Sequence, residues 1–225
     1  MLLSLPSIPV DQALRYLGVK GQPPEEVLEQ VQEACARLLP VCQPRYTWKA
    51  AQLEARGRPV LSPWGLTLPG EDLPTLLRDC DRCVVFALTL GDGPEALMRR
   101  AAPVSPAKAL VLDACASAAC EAACDLLQAQ LESQLCAPEG LYVTDRFSPG
   151  YGDLPLSVQP RLLELLDAQR QCGLTLTESW IMTPRKSVTA IFGLADKPQG
   201  KRAHGCGTCS MTQNCSYRKA GITCG

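Results

Sequence analysis

The sequence predicts an α+β fold with a mostly antiparallel, twisted sheet, several helices and a Cys-rich C-terminal tail. Residues 83–90 form a continuous apolar run typical of a central strand, and residues 45–50 alternate polar and apolar positions as a half-buried strand does. Strand-like and helical segments are interspersed without a strict βαβ repeat, which disfavours a parallel doubly wound sheet.

The remaining elements follow from periodicity, caps and breakers. Asp11 is expected to cap a helix that runs to Leu17, and Pro23-Pro24 opens a second helix that Pro40 ends. In chain order, further elements are expected at residues 45–50 (strand), 56–70 (loop with short strand pieces), 72–79 (helix), 83–90 (strand), 94–100 (helix), 105–135 (helix), 141–144 (strand), 158–173 (helix), and 176–182 and 187–194 (strands of one hairpin).

Composition and charge disfavour two classes of function. Lys plus Arg is 22 and Asp plus Glu is 23, so the chain lacks the basic excess of a typical nucleic-acid-binding protein. The least charged long stretch, residues 101–124, still contains Lys108, Asp113 and Glu121, which are costly in hydrocarbon. The first residues lack the basic and apolar regions of a signal peptide, so the expected location is the cytoplasm and no membrane is involved.

Cysteines within the main part of the chain are interpreted as packing residues. In a reducing compartment a buried thiol behaves as a small hydrophobe. Four of the thirteen cysteines lie among Ala and Leu in helical patterns: Cys35, Cys115, Cys120 and Cys124. Cys80-x2-Cys83 has a ligand-like spacing, but Cys83 opens the buried strand, so this pair is assigned to the core as well.

The composition changes after Asp196, which divides the chain into a main domain, residues 1–196, and a linker with a Cys-rich tail, residues 197–225. The tail carries four cysteines: Cys206, Cys209, Cys215 and Cys224. Four thiolates suit zinc or an iron–sulfur cluster, and His204 can replace one of them. Reduced free thiols, or a disordered end, are the alternatives.

Several kinds of catalytic site are absent from the main domain. His204, the only histidine, lies in the tail, which excludes a Ser-His-Asp, Cys-His or multi-histidine metal site there. The sequence contains neither GxGxxG nor GxxxxGK[ST]. Gly91-Asp92-Gly93 is interpreted as a strand-to-helix turn rather than a phosphate loop.

Residues 146–155 are the densest chemical feature. Arg146 precedes a Pro149-Gly150-Tyr151-Gly152 turn that Pro155 closes. Prolines stiffen such a loop, glycines expose backbone groups, and an arginine offers a planar fork to a carboxylate. These residues therefore indicate one of two things. Either the loop forms a pocket for a zwitterionic or aromatic ligand, or it is a stiff surface loop whose arginine pairs with an acid.

The long helix at 105–135 contains one acid in a region of small residues. Small side chains from Asp113 to Cys124 allow another backbone to approach closely. Glu121 lies in this region and either faces a ligand pocket or belongs to the solvated face. Glu178, next to a predicted strand edge, is interpreted as structural.

Four blocks of the sequence, in order, resemble the activation domain of cobalamin-dependent methionine synthase. The blocks are Leu112–Ala116 with Glu121–Ala123, Arg146–Tyr151, Leu166-Asp167, and Leu176–Ser179 with Ser187–Thr189. The resemblance covers about residues 105–194. Leu14–Gly18 and Thr89–Gly91 further resemble free-standing bacterial forms of this domain.

The resemblance implies binding of S-adenosylmethionine and reductive methylation of inactive Co(II) cobalamin. Arg146 is implied to hold the methionyl carboxylate, Glu121 the ammonium, and the backbone of Ser148 and Gly150 the polar edges of the ligand. Tyr151 is implied to face the corrin. No catalytic residue is implied, because cobalt is the nucleophile and the sulfonium is already a good leaving group. The chain would act by positioning.

The resemblance also implies partners. The sequence lacks cobalamin, homocysteine and folate modules, so the cobalamin is expected on a separate methionine synthase core, with an electron donor. The chain would then be a methyltransferase subunit that acts only with that partner. Phe192-Gly193-Leu194-Ala195 stands where full-length enzymes carry paired aromatics. Two alternatives stay open: a reactivator of another corrinoid methyltransferase, and a non-catalytic, metal-tailed binding module.

Overall fold

The computed structural model describes residues 1–56 and 58–199, which form an α+β fold. The helices are α1 Val10–Tyr16, α2 Glu25–Leu38, α3 Asp72–Leu76, α4 Asp92–Ala101, α5 Pro106–Leu135, α6 Gln159–Leu165 and α7 Ala168–Cys172. The strands are β1 Arg45–Ala55, β2 Arg58–Ser62, β3 Leu66–Thr67, β4 Cys80–Thr89, β5 Tyr142–Val143, β6 Thr175–Leu176, β7 Met182–Thr183 and β8 Ser187–Ala195.

Six strands form one sheet in the order β3-β2-β1-β4-β8-β5. β2 pairs antiparallel with β1 and β3, with Gln52 opposite Ser62 and Val60 opposite Thr67. At the other edge, β5 pairs antiparallel with β8. β6 and β7 form a separate two-stranded sheet. The predicted α+β class with a mostly antiparallel sheet is confirmed.

The chain divides into two compact units, each built from three segments. The first unit contains Met1–Trp48, Phe86–Leu131 and Pro160–Thr189. The second contains Lys49–Val85, Glu132–Gln159 and the described residues from Ala190 onward.

The core of the first unit forms around α5. The helix begins where the sequence predicts, because the Ser105 hydroxyl accepts the backbone N–H of Lys108 at 3.3 Å and Pro106 occupies the first helical position. Alanine favours the helix, and small side chains allow it to be buried on several sides. Cys115 is fully buried and donates its S–H to the Val31 carbonyl of α2 at 3.7 Å.

In the second unit, the residue after α3 and the first residue of β4 pack closely against strand β8. A Cβ added at Gly193 would lie 2.4 Å from Cys80 Sγ and 2.8 Å from Leu77 Cδ2. The buried Thr144 accepts the Gly193 N–H with its hydroxyl at 2.8 Å and donates its own N–H to the Gly193 carbonyl at 3.1 Å. Glycine is therefore required at residue 193 by the room available rather than by its backbone angles.

Asp196 follows β8 directly and is held by Arg56. The Arg56 guanidinium donates to Asp196 at 2.9 Å and to both oxygens of Asp81 at 2.8 Å. These hydrogen bonds hold the pKa of the Asp81 carboxyl below its ordinary value. The division into 1–196 and 197–225 stays a prediction, because residues 200–225 lie outside the described residues.

The predicted hairpin of residues 176–182 with 187–194 is wrong. Residues 175–176 instead pair with 182–183, and β8 lies in the large sheet between β4 and β5. The turn closes locally: Thr177 donates its N–H to the Ile181 carbonyl at 2.9 Å, and its hydroxyl accepts the Ile181 N–H at 3.1 Å. Trp180 adopts a left-handed φ of 63° in this turn.

Other predicted boundaries also shift. The single helix predicted at 158–173 divides into α6 and α7, because Asp167 has a left-handed φ of 51°, which aspartate tolerates better than most residues. Asp11 lies within the first turn of α1 and is not its cap, which is Pro9. β1 is longer than predicted, and α3 is shorter.

No helix in the described part of the chain combines the length and apolar character needed to cross a membrane.

Candidate functional site

The loop at residues 146–155 is anchored to the sheet at its start. Phe147 is 5% exposed, and its N–H and carbonyl both bond to Ile191 of β8 at 2.8 Å. This pair is a single bridge outside the regular strands. Arg146 precedes it and is half-buried. The arginine side chain therefore begins at a backbone position that the sheet holds in place.

Beyond Phe147 the loop closes on itself. Gly150 has a φ of 90° and donates its N–H to the Leu154 carbonyl at 2.8 Å, and Tyr151 donates to the Ser148 carbonyl at 3.1 Å. Leu154 is 1% exposed and attaches the far end of the loop to the core, whereas Tyr151 is 68% exposed. The predicted absence of regular secondary structure here is confirmed, and the loop presents the Tyr151 ring outward.

Four of the predicted site residues thus belong to one loop in the second unit: Arg146, Ser148, Gly150 and Tyr151. Glu121 belongs to α5 in the first unit and is half-buried among buried small residues such as Ala118 and Ala123. One of the two predictions for Glu121 placed it on the solvated face of the helix, whereas the structure shows it half-buried. Its role with the loop in holding one ligand stays a prediction.

The second glycine-rich candidate, Gly91-Asp92-Gly93, connects β4 to α4 as predicted. A Cβ at Gly93 would lie 2.1 Å from the Val41 carbonyl oxygen, so close backbone packing explains this glycine. The turn borders a cleft of about 460 Å³ that Arg45 also lines. Asp92 places a negative charge at the same point, which disfavours a phosphate.

Cys80 and Cys83 are fully buried, and their assignment to the core is confirmed. Burial raises the pKa of each thiol to about 12, which is the behaviour of a packed core cysteine rather than a reactive one. Within residues 1–56 and 58–199, no group of three or more His, Cys, Asp or Glu side chains is arranged to hold a metal ion. The four predicted metal ligands lie outside the described residues: Cys206, Cys209, Cys215 and Cys224.

Two polar contacts are not apparent from the sequence. Lys186, with a side chain 14% exposed, places its Nζ 2.9 Å from both Asp113 Oδ1 and Ser117 Oγ. Asp153 accepts the backbone N–H groups of Glu71 and Asp72. In each case the partners are far apart in the chain, so no spacing pattern signals the contact.

The fold and this loop define an α+β domain that presents an Arg-x-x-Pro-Gly-Tyr segment beside its main sheet. The profile of the family described as vitamin B12 dependent methionine synthase, activation domain, matches residues 78–220. Because the match spans more than half of the sequence, the chain belongs to this family. The matched range includes Glu121 and the whole loop and continues past Asp196 into the Cys-rich segment.

The comparison with solved structures agrees with the family. A crystal structure described as the MetH reactivation domain bound to AdoHcy matches the chain with a TM-score of 0.61 and 16% sequence identity. The match covers 99% of this chain and 85% of that chain. At this identity the likeness shows the fold alone. A search of curated proteins finds no match. The predicted family is confirmed.

Proposed function

We propose that this chain binds S-adenosylmethionine and supports the reductive methylation of inactive Co(II) cobalamin held by a separate methionine synthase protein. The proposal is supported by the family membership and by the likeness to a reactivation domain bound to AdoHcy, the form of S-adenosylmethionine that has lost its methyl group. The observation that carries it is the loop, in which Arg146 is half-buried next to a backbone position fixed on β8.

Each proposed residue has a distinct role. The Arg146 guanidinium binds the methionyl carboxylate through paired N–H donors, and Glu121 binds the ammonium. The loop uses the Ser148 carbonyl and the Gly150 N–H for its own closure. The polar edges of a ligand would meet the Ser148 N–H, the Gly150 carbonyl and the second lone pair of the Ser148 carbonyl. Tyr151, largely exposed, faces the corrin of the docked partner.

The chemistry consumes one electron and one methyl group. The carbon–sulfur bond of S-adenosylmethionine breaks, a cobalt–carbon bond forms in the partner's cobalamin, and S-adenosylhomocysteine leaves. An external donor supplies the electron. This chain contributes orientation, because it holds the sulfonium where the cobalt can reach the methyl carbon.

The binding step is tested by replacing the arginine. Arg146→Ala should weaken S-adenosylmethionine binding about 30-fold, which is about 2 kcal/mol for loss of a charge-assisted contact. Arg146→Lys keeps the charge without the planar fork, so its affinity for S-adenosylmethionine should lie between those of wild type and Arg146→Ala. Arg161→Ala, which removes a surface pair with Glu164, is the matched control. Equal affinity of wild type and Arg146→Ala by calorimetry would exclude this role.

The activity is tested by reconstitution. The chain alone should methylate nothing. Mixed with a Co(II) cobalamin partner, a reductant and S-adenosylmethionine, it should convert the visible spectrum to that of methylcobalamin. Tyr151→Ala should slow this conversion more than it weakens ligand binding, whereas Tyr142→Ala, at another exposed tyrosine of the second unit, should not. An unchanged rate in Tyr151→Ala would remove its assignment to the corrin.

We further propose one metal centre held by Cys206, Cys209, Cys215 and Cys224, on the basis of their spacing. An iron–sulfur cluster is favoured over zinc because the reaction consumes an electron.

Protein purified without oxygen should contain iron and sulfide, or one zinc. Removal of residues 204–225 should leave S-adenosylmethionine binding intact and abolish reactivation by a physiological electron donor, but not by a strong chemical reductant. Metal-free protein with full activity would refute the centre.

A further inference from the structure

Asp153 connects the 146–155 loop to the beginning of helix α3. Its Oδ2 accepts the backbone N–H of Glu71 at 2.6 Å, and its Oδ1 accepts the N–H of Asp72 at 3.2 Å. The first N–H groups of a helix have no partner within the helix, so an external acceptor satisfies them. In the chain, Asp153 lies 82 positions after Glu71 and 81 positions after Asp72, so the contact joins distant segments.

The backbone at this contact leaves no room for side chains. A Cβ at Gly70, which has a φ of 100°, would lie 2.5 Å from Asp153 Oδ1. A Cβ at Gly152, which has a φ of 53°, would lie 2.2 Å from Asp72 Oδ2 and 3.0 Å from Phe147 Cζ. Two glycines with left-handed backbones therefore bring the loop and the residues before α3 into close contact. The contact is defined by shape as well as by hydrogen bonds.

The loop is thus anchored near both ends, and its middle is held only by hydrogen bonds between close neighbours. Phe147 fixes the start on β8, the buried Leu154 attaches the end to the core, and Asp153 ties the turn before Leu154 to α3. Between them lie Gly150 and Gly152, whose backbones would be the most mobile in the loop if one anchor were lost. Three hydrogen bonds within the loop, each between close neighbours, cannot by themselves set its position against the sheet.

We infer that Asp153 is a positioning residue, which holds the Gly150–Gly152 turn against α3 and so fixes the position of Tyr151 and of the Ser148 and Gly150 backbone groups. The part of this inference that concerns the ligand rests on the proposed function. Asp153 is exposed and α3 is short, so loss of the contact should free the loop without unfolding the protein. A purely structural residue would instead change the global unfolding midpoint.

The test compares Asp153→Ala, Asp153→Asn and a matched control. The control is Glu139→Ala, which removes another exposed carboxylate of the second unit, paired with Arg82 instead of the loop. Asparagine has one acceptor oxygen for the two N–H groups, so Asp153→Asn should fold normally and have an intermediate effect. Urea unfolding of all variants checks that the global midpoint stays close to that of wild type.

Two measurements follow the loop and the ligand separately. Hydrogen exchange of the peptide spanning residues 146–156 should become about tenfold faster in Asp153→Ala, because the loop opens without global unfolding. Calorimetry should show about fivefold weaker S-adenosylmethionine binding, since an open loop is less often binding-competent. Glu139→Ala should change neither.

The outcomes separate this inference from the proposed function. Unchanged exchange in Asp153→Ala and Asp153→Asn overturns the inference, whatever the ligand does. Faster exchange with unchanged ligand affinity also overturns it, because the loop would then not need positioning. If wild type itself fails to bind S-adenosylmethionine while the variants exchange faster, the positioning role of Asp153 is supported and the proposed function fails.

Discussion

The 146–155 loop and the tip of the β6–β7 hairpin both present an aromatic side chain to solvent, but they are held differently. Tyr151 is 68% exposed in a loop whose anchors are Ile191 of β8 and the backbone at the start of α3. Trp180 is 42% exposed in a turn closed by the backbone and hydroxyl of Thr177.

This difference has a physical consequence. A segment closed by its neighbours keeps its conformation wherever its few residues are intact. A segment held by distant parts of the chain depends on the whole fold and responds to substitutions far from it in sequence. The loop should therefore be sensitive to changes at its anchors, whereas the hairpin tip should be sensitive only to changes within itself.

The largest effect is expected at the loop anchor in the sheet. Phe147→Ala removes a ring that is 5% exposed and should destabilise the protein by about 3 kcal/mol or more through the cavity left behind. Trp180→Ala removes an aromatic side chain of the hairpin tip and should lower the free energy of unfolding far less. Urea unfolding of both variants measures the contrast, and similar losses of stability would contradict it.

A medium effect is expected at the glycine contact. Gly152 and Gly140 both have left-handed backbones, but a Cβ at Gly140 would meet nothing within 4 Å. Gly140→Ala should therefore cost only the backbone strain, about 1 kcal/mol. Gly152→Ala adds overlap with Asp72 and Phe147 and should cost about 1 kcal/mol more. Equal unfolding free energies for the two variants would show that the loop moves away from the added methyl group without loss of stability.

The smallest effect is expected in the hairpin. Thr177→Ala removes the hydroxyl that accepts the Ile181 N–H and should destabilise the turn by about 1 kcal/mol. Thr177→Ser keeps the hydroxyl and serves as the control. Hydrogen exchange should accelerate at residues 177–181 and stay unchanged at residues 146–156. Acceleration in the loop as well would show that the hairpin is not autonomous.

Much of the fold was accessible from local patterns. The apolar run at 83–90 predicted β4 without its first three residues, and the small-residue helix after Ser105-Pro106 predicted α5 nearly to its ends. Pro149 and the glycines around Tyr151 correctly predicted an irregular loop. In each case the signal lies within a short segment, because periodicity, capping and backbone restrictions act over a few residues.

The failures share one cause. Residues 176–182 have the composition of a strand, yet they turn back on themselves through Thr177. The pairing of β8 with β5 and the contact of Asp153 with α3 each join distant segments. The periodicity of apolar residues indicates which face of a segment is buried, but it does not indicate which other segment of the chain packs against that face.

The sequence by itself determined the α+β class, the long buried helix, the Arg-x-x-Pro-Gly-Tyr loop and the family to which they point, because these depend on residue type and short spacing. Only the tertiary structure decided the strand order and the anchoring of that loop by Phe147 and Asp153. It also decided that Cys80 and Cys83 are buried in the core. These features depend on contacts between distant segments, which exist only when the chain is folded.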